Sequence, residues 1–135
     1  MEYIMTSLPL TSLVTLLVVL LLFFTALNTG RARVRYGIKA PAVTGHEMFE
    51  RAFRIQMNTL ENAVLMLPAL WLYAGLIDDG GAGLTGAIWL VGRVWYAIAY
   101  QNDPAKRGIG FGLGILAFLG LWFGALWGVV RILMH

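Results

Sequence analysis

From Tyr3 to Gly30 the chain carries no charged side chain, and the centre of this stretch reads "LVTLLVVLLLFFTAL". That is long enough for the roughly 20 apolar residues that cross a hydrocarbon core. A backbone placed in lipid must satisfy its own amides and carbonyls, so the segment is bound to be helical. A secretory leader is the rival reading. The residues before the run hold Glu2 and no Lys or Arg, and "TALNTG" is a poor small-residue cleavage site. The stretch is therefore expected to be retained as a first membrane helix.

The rest of the chain has the same character. Of its 135 residues 59% are hydrophobic and 13% charged, and the mean hydropathy is +0.75, well above an ordinary soluble domain. Residues 31 to 46, "RARVRYGIKAPAVTGH", read as a basic loop punctuated by Gly and Pro. A second helix is expected from Glu47 to about Ile77, roughly 46 Å at about 1.5 Å per residue. "DDGGAG" at 78 to 83 breaks the chain, a third helix covers about Leu84 to Tyr100, and after "QNDPAKRG" a fourth runs from Gly108 to about Val130. The expected fold is an all-α integral membrane protein, a bundle of four spans forming one domain over residues 1–135. The Gly-rich "GIGFGLGILAFLG" follows no strand, as a nucleotide loop would, and reads as close helix packing.

Cysteine is absent, which excludes disulfides, thiolate ligands and a cysteine nucleophile. Any thiol chemistry needs a borrowed thiol. His46 and His135 stand alone, outside any metal-binding motif, so no metal is expected. The net charge of +3 comes from few groups, and no nucleic-acid partner is expected. Arg31, Arg33, Arg35 and Lys39 fall in the first loop and Lys106 and Arg107 in the third, whereas the second holds only Asp78 and Asp79. The excess of positive charge on cytoplasmic loops places the first and third loops inside and both termini outside.

The second helix opens on polar residues. Glu47, Arg51, Arg54, Asn58, Glu61 and Asn62 recur at helical spacing and share a sector of about 100°, while Gln56 lies off that face. An ionised group at mid-membrane costs at least about 2.5 to 3.5 kcal/mol, so the stripe faces protein, water or a ligand. On the third helix Arg93, Tyr96 and Tyr100 share a face, with Arg107 just beyond. The two faces could converge on one cleft open to the cytoplasm. Spacing alone also admits a structural reading: an Arg54 and Glu61 ion pair, Asn58 bonding between helices, and tyrosines as interfacial anchors.

"ERAFRIQMNTLE" at 50 to 61 resembles the E-R-x-x-R-x-Q-x-N-x-x-E signature of the membrane-associated proteins in eicosanoid and glutathione metabolism, the MAPEG family. "GRVWYAIAYQNDPAKRG" at 92 to 108 is similar to the third helix and following turn of that family's glutathione transferases. The resemblance implies a homotrimer of four-helix subunits that binds glutathione in clefts between neighbours. It implies glutathione contacts for Arg54, Gln56, Asn58, Glu61, Tyr96 and Tyr100. Arg107 matches the arginine that activates the glutathione thiol, Arg51 is a recurrent signature position, and Arg31 is the choice among the arginines after the first helix. Two departures stand out: Asn62 where many relatives carry tyrosine, and Trp95 where a leukotriene synthase has arginine. Both argue against a specialised leukotriene enzyme. The activity implied is that of a bacterial inner-membrane glutathione S-transferase or peroxidase, acting in detoxification. Glutathione is its co-substrate, and the second substrate is a lipophilic electrophile or lipid hydroperoxide drawn from membrane lipid. The alternative is a non-catalytic lipid- or glutathione-binding member, as the lipoxygenase-activating protein is.

Overall fold

The computed structural model describes residues 6–135 as four long helices. They are α1 (Pro9–Tyr36), α2 (Glu47–Leu76), α3 (Asp79–Asn102) and α4 (Gly108–Leu133), with a single 3-10 turn at Pro104–Lys106 before α4. Each is long and apolar enough to span a membrane. The start of the charge-free run, residues 3–5, lies outside the described residues.

Two boundaries differ from the sequence expectation. The basic stretch at 31 to 36 is not loop: α1 continues through Tyr36 and stops at Gly37, whose φ of 68° terminates the helix in the left-handed conformation open to glycine. Arg33 and Arg35 therefore sit in the last turn, where cations meet the negative end of the helix dipole. The third helix begins at Asp79, five residues before Leu84, because Asp78 caps it by accepting from the Gly81 amide at 3.0 Å. Glycine lowers helix propensity but does not forbid a capped first turn.

Asp79 does a second job. α1 opens after Leu8 without a side-chain cap of its own. The Asp79 carboxylate supplies one from across the bundle, accepting from the Leu10 amide at 3.1 Å, the Thr11 amide at 2.9 Å and the Thr11 hydroxyl at 2.8 Å. A carboxylate at the start of α3 thus supplies the acceptor that the first amides of α1 lack within their own helix.

α2 and α3 pack against each other and against both outer helices, while α1 and α4 make no comparable contact with one another. The buried core runs along this central pair and includes Val14, Val18, Met66, Leu70, Trp89 and Leu121. Trp71 Nε1 donates to Thr15 Oγ1 at 2.9 Å, and Thr29 Oγ1 reaches the Ala52 carbonyl at 3.2 Å, which pins α1 to α2. α3 and α4 approach through glycine: a methyl group on Gly92 would lie 2.8 Å from the Gly114 amide nitrogen, and one on Gly110 would strike the Tyr96 backbone. Backbone cannot give way as a flexible side chain can, so these glycines fix how close Tyr96 stands to the start of α4.

Candidate functional site

The polar stripe of α2 and the aromatic face of α3 meet at the end of the bundle that carries the 3-10 turn. Arg54, Met57, Asn58, Glu61, Tyr96, Tyr100 and Arg107 line one recess of about 310 Å³. A second recess of about 520 Å³ shares Asn58, Tyr96 and Arg107 and extends to Ala105, Gly108 and Phe111. A third shares Arg54 and Tyr100 and reaches Glu47, Glu50, Arg51 and Pro104. Shared walls make these one branched cleft between α2, α3 and the entry to α4.

Arg54, Glu61 and Arg107 are exposed. Arg54 and Glu61 are not paired with each other, and the salt bridge that the described residues contain is the one from Arg51 Nη2 to Glu47 Oε1, at 2.6 Å. Arg107 donates to the Pro104 carbonyl at 2.7 Å and its guanidinium lies 5.9 Å from the Tyr100 ring centroid. That bond holds the side chain against the turn without neutralising its charge. In the recess that Arg54, Glu61 and Arg107 share, one carboxylate and two arginines thus have no ion-pair partner among the described residues.

The cleft floor is more tightly held. Arg93, at 1% exposure, is buried between α2 and α3. Its Nη2 donates to Asn58 Oδ1 at 2.7 Å and Thr59 Oγ1 at 2.9 Å, and its guanidinium lies 4.1 Å from the Tyr96 ring centroid. Tyr96 in turn packs against Tyr100 and Phe111, at centroid separations of 5.6 and 6.1 Å. Asn58 therefore bonds between helices, as the structural reading of the stripe expected, and lines the cleft as well.

The remaining candidates lie elsewhere. Arg51 donates to the carbonyls of Gln101 at 3.0 Å and Asn102 at 3.1 Å, closing the C-terminus of α3 at the edge of the cleft. Gln56 is half-buried and lines none of the three recesses. Arg31 is exposed and, with Asn28, Arg35, Tyr36 and Gln101, lines a separate recess of about 320 Å³. Of its neighbours on α1, Arg33 is engaged with the Ala42 carbonyl at 2.7 Å and the Phe49 ring, and Arg35 lies over Tyr36. Within one chain, Arg31 and Gln56 do not reach Arg54 and Arg107.

Sequence reasoning placed Arg93 on the right face but gave it no role in the site. The available signal was its isolation: α3 carries no other basic residue, and a lone arginine deep in a span must be held by neighbouring polar groups. Met57 and Phe111 gave no signal, since apolar residues on a membrane helix are the rule.

This cleft can be set beside known proteins. The MAPEG family model matches residues 11–127. The chain belongs to the MAPEG family. Within MAPEG, it is 46% identical over 115 residues to an uncharacterized protein of Synechocystis sp., covering 85% of this chain and 84% of that one. Over 98 residues it is 39% identical to human microsomal glutathione S-transferase 2, covering 71% of this chain and 67% of that one. It is also 37% identical over 94 residues to leukotriene C4 synthase of Cavia porcellus, covering 70% of this chain and 63% of the synthase. The four spanning-length helices and the MAPEG match make it a multi-pass membrane protein of a family with glutathione-using enzymes.

Proposed function

We propose that this MAPEG protein is a membrane-bound glutathione S-transferase, with peroxidase activity toward lipid hydroperoxides as a second use of the same activated thiol. The observation that carries the reading is the cleft in which Glu61, Arg54 and Arg107 stand exposed and unpaired with one another around Asn58, Tyr96 and Tyr100.

Glutathione brings two carboxylates, an ammonium and a thiol. Arg54 offers the planar fork that grips a carboxylate through paired charge-assisted bonds. Glu61 accepts from the ammonium. A thiol with a pKa near about 8.5 is mostly protonated at neutral pH, and a nearby cation shifts it toward thiolate. Arg107 is that cation, held over the cleft by the turn. The thiolate sulfur then bonds to the electrophilic carbon of a lipophilic substrate and the displaced group leaves with the electron pair. With a hydroperoxide, the sulfur instead attacks the terminal oxygen, the O–O bond breaks, and a lipid alcohol and a sulfenic acid result. A second glutathione converts the sulfenic acid to disulfide and water. The enzyme contributes proximity and a fixed field.

The active assembly in this reading is a homotrimer, with the site between subunits and open to the cytoplasm of a bacterial inner membrane. Arg31 and Gln56, which one chain keeps away from its own cleft, then come from the neighbour. Glu61→Ala tests the ligand assignment. Glu61 is exposed and has no ion-pair partner among the described residues, so its loss should change stability by no more than about 0.5 kcal/mol. Calorimetric titration should show glutathione binding weakened at least about tenfold, as expected for a lost charge-assisted bond. Binding at wild-type strength would remove Glu61 from the site.

A further inference from the structure

Asn58 and Arg93 form a unit whose geometry dictates what the cleft offers a ligand. Asn58 Oδ1 accepts from Arg93 Nη2 at 2.7 Å and from Asn62 Nδ2 at 3.2 Å, and Asn62 Nδ2 also donates to the Asn58 carbonyl at 2.8 Å. Both lone pairs of the side-chain oxygen are thereby used. Rotating the amide by half a turn would set its NH2 against the guanidinium and the Asn62 NH2, donor against donor. The Asn58 amide is thus held with its oxygen toward Arg93 of α3, its nitrogen carries no hydrogen bond to the described residues, and the residue lines the cleft.

Arg93 itself is unusual. Among the described residues its buried Nε and Nη1 have no hydrogen-bond partner, and no carboxylate pairs with it. From the end of α3 at Asn102 it is about 14 Å deep along the helix, at about 1.5 Å per residue. A buried cation with unmet donors is costly to keep. It is held by neutral oxygens and by the Tyr96 ring, whose face attracts a cation. Both of these contacts, Asn58 and Tyr96, are walls of the cleft.

We propose that Arg93 is a positioning residue that, with Asn62, fixes Asn58 as an obligate hydrogen-bond donor toward the cleft, so that the subsite beside it takes an acceptor, a carboxylate, peptide carbonyl or sulfur anion of the bound thiol compound. This rests on the glutathione reading above. Asn62 occupies the position where the chain departs from the tyrosine of many relatives, and here it supplies the second half of the lock.

Asn58→Asp is the decisive variant. It preserves shape and gives Arg93 a carboxylate partner, so the protein should melt at the same temperature or higher. It also removes the donor and places negative charge beside the ligand's acceptor. Glutathione affinity should fall about 10- to 100-fold, the range for a hydrogen bond involving a charged group. Arg93→Lys, which keeps the charge and one donor, should bind more weakly than wild type but more strongly than Arg93→Gln, in which amide can face amide in either orientation. A purely structural role for the pair predicts altered melting temperatures with unchanged affinity in all three variants, and that result overturns the proposal. Wild-type protein that binds no glutathione overturns the functional reading instead, and this proposal with it. Binding by the wild type and equally by Asn58→Asp overturns the proposal alone.

Discussion

Arg107 divides a thiol-activating enzyme from a protein that merely binds. It is exposed, and its side chain donates within its own turn, to the Pro104 carbonyl. Removing it should therefore leave the bundle standing. Arg107→Ala is expected to lose most of the rate of conjugation to an aryl electrophile, by two orders of magnitude if the loss resembles that of a single transition-state donor, about 10²- to 10³-fold. Glutathione should still bind through α2. Arg107→Lys should recover part of the rate, because charge returns without the planar fork. Unchanged turnover in the alanine variant would make Arg107 one more interfacial cation. That Arg54, Asn58 and Glu61 line a cleft was legible because polar side chains at helical spacing are costly to turn toward lipid. Arg93 was legible as a member of the converging face but not in its role, which depends on which rotamers of Asn58, Asn62 and Thr59 meet it, and spacing carries no such information.

At the scale of helices, the caps were the least legible part. "DDGGAG" reads as a break because Gly-rich runs end helices, yet Asp78 starts α3 and Asp79 closes α1 from across the bundle. The second of these depends on a contact 68 residues away in sequence, which no local pattern can reveal. The extension of α1 through Arg35 was missed for a related reason. Charges were taken to end the helix, whereas it runs on through them and stops at Gly37. Asp79→Ala is predicted to lower stability by about 2 kcal/mol, the upper range for loss of a cap, since three donors lose their acceptor. Asp79→Asn, which keeps one acceptor oxygen, should recover part of that. Thermal unfolding in detergent measures both, and equal melting of wild type and Asp79→Ala would show that the first amides of α1 need no cap.

For the molecule as a whole, the order and number of spans followed from hydropathy, because four apolar segments separated by turns leave few other arrangements. Orientation rests on the charge of the loops: basic residues lie around the α1 to α2 loop and the turn before α4, and Asp78 and Asp79 at the opposite end. The native chain has no cysteine, so Lys39→Cys, Gly80→Cys and Lys106→Cys each introduce a unique label site. In intact bacterial cells, Gly80→Cys should react with an impermeant maleimide and the other two should react only after lysis. The reverse pattern would invert the protein and put the cleft outside. Whether the cleft binds glutathione and turns its thiol into thiolate is read by titrating purified wild-type protein with glutathione at neutral pH and following thiolate absorbance in the ultraviolet. The expected result is a saturable thiolate signal that Arg107→Ala abolishes while calorimetric binding persists. Saturable binding with no thiolate signal in the wild type would contradict it.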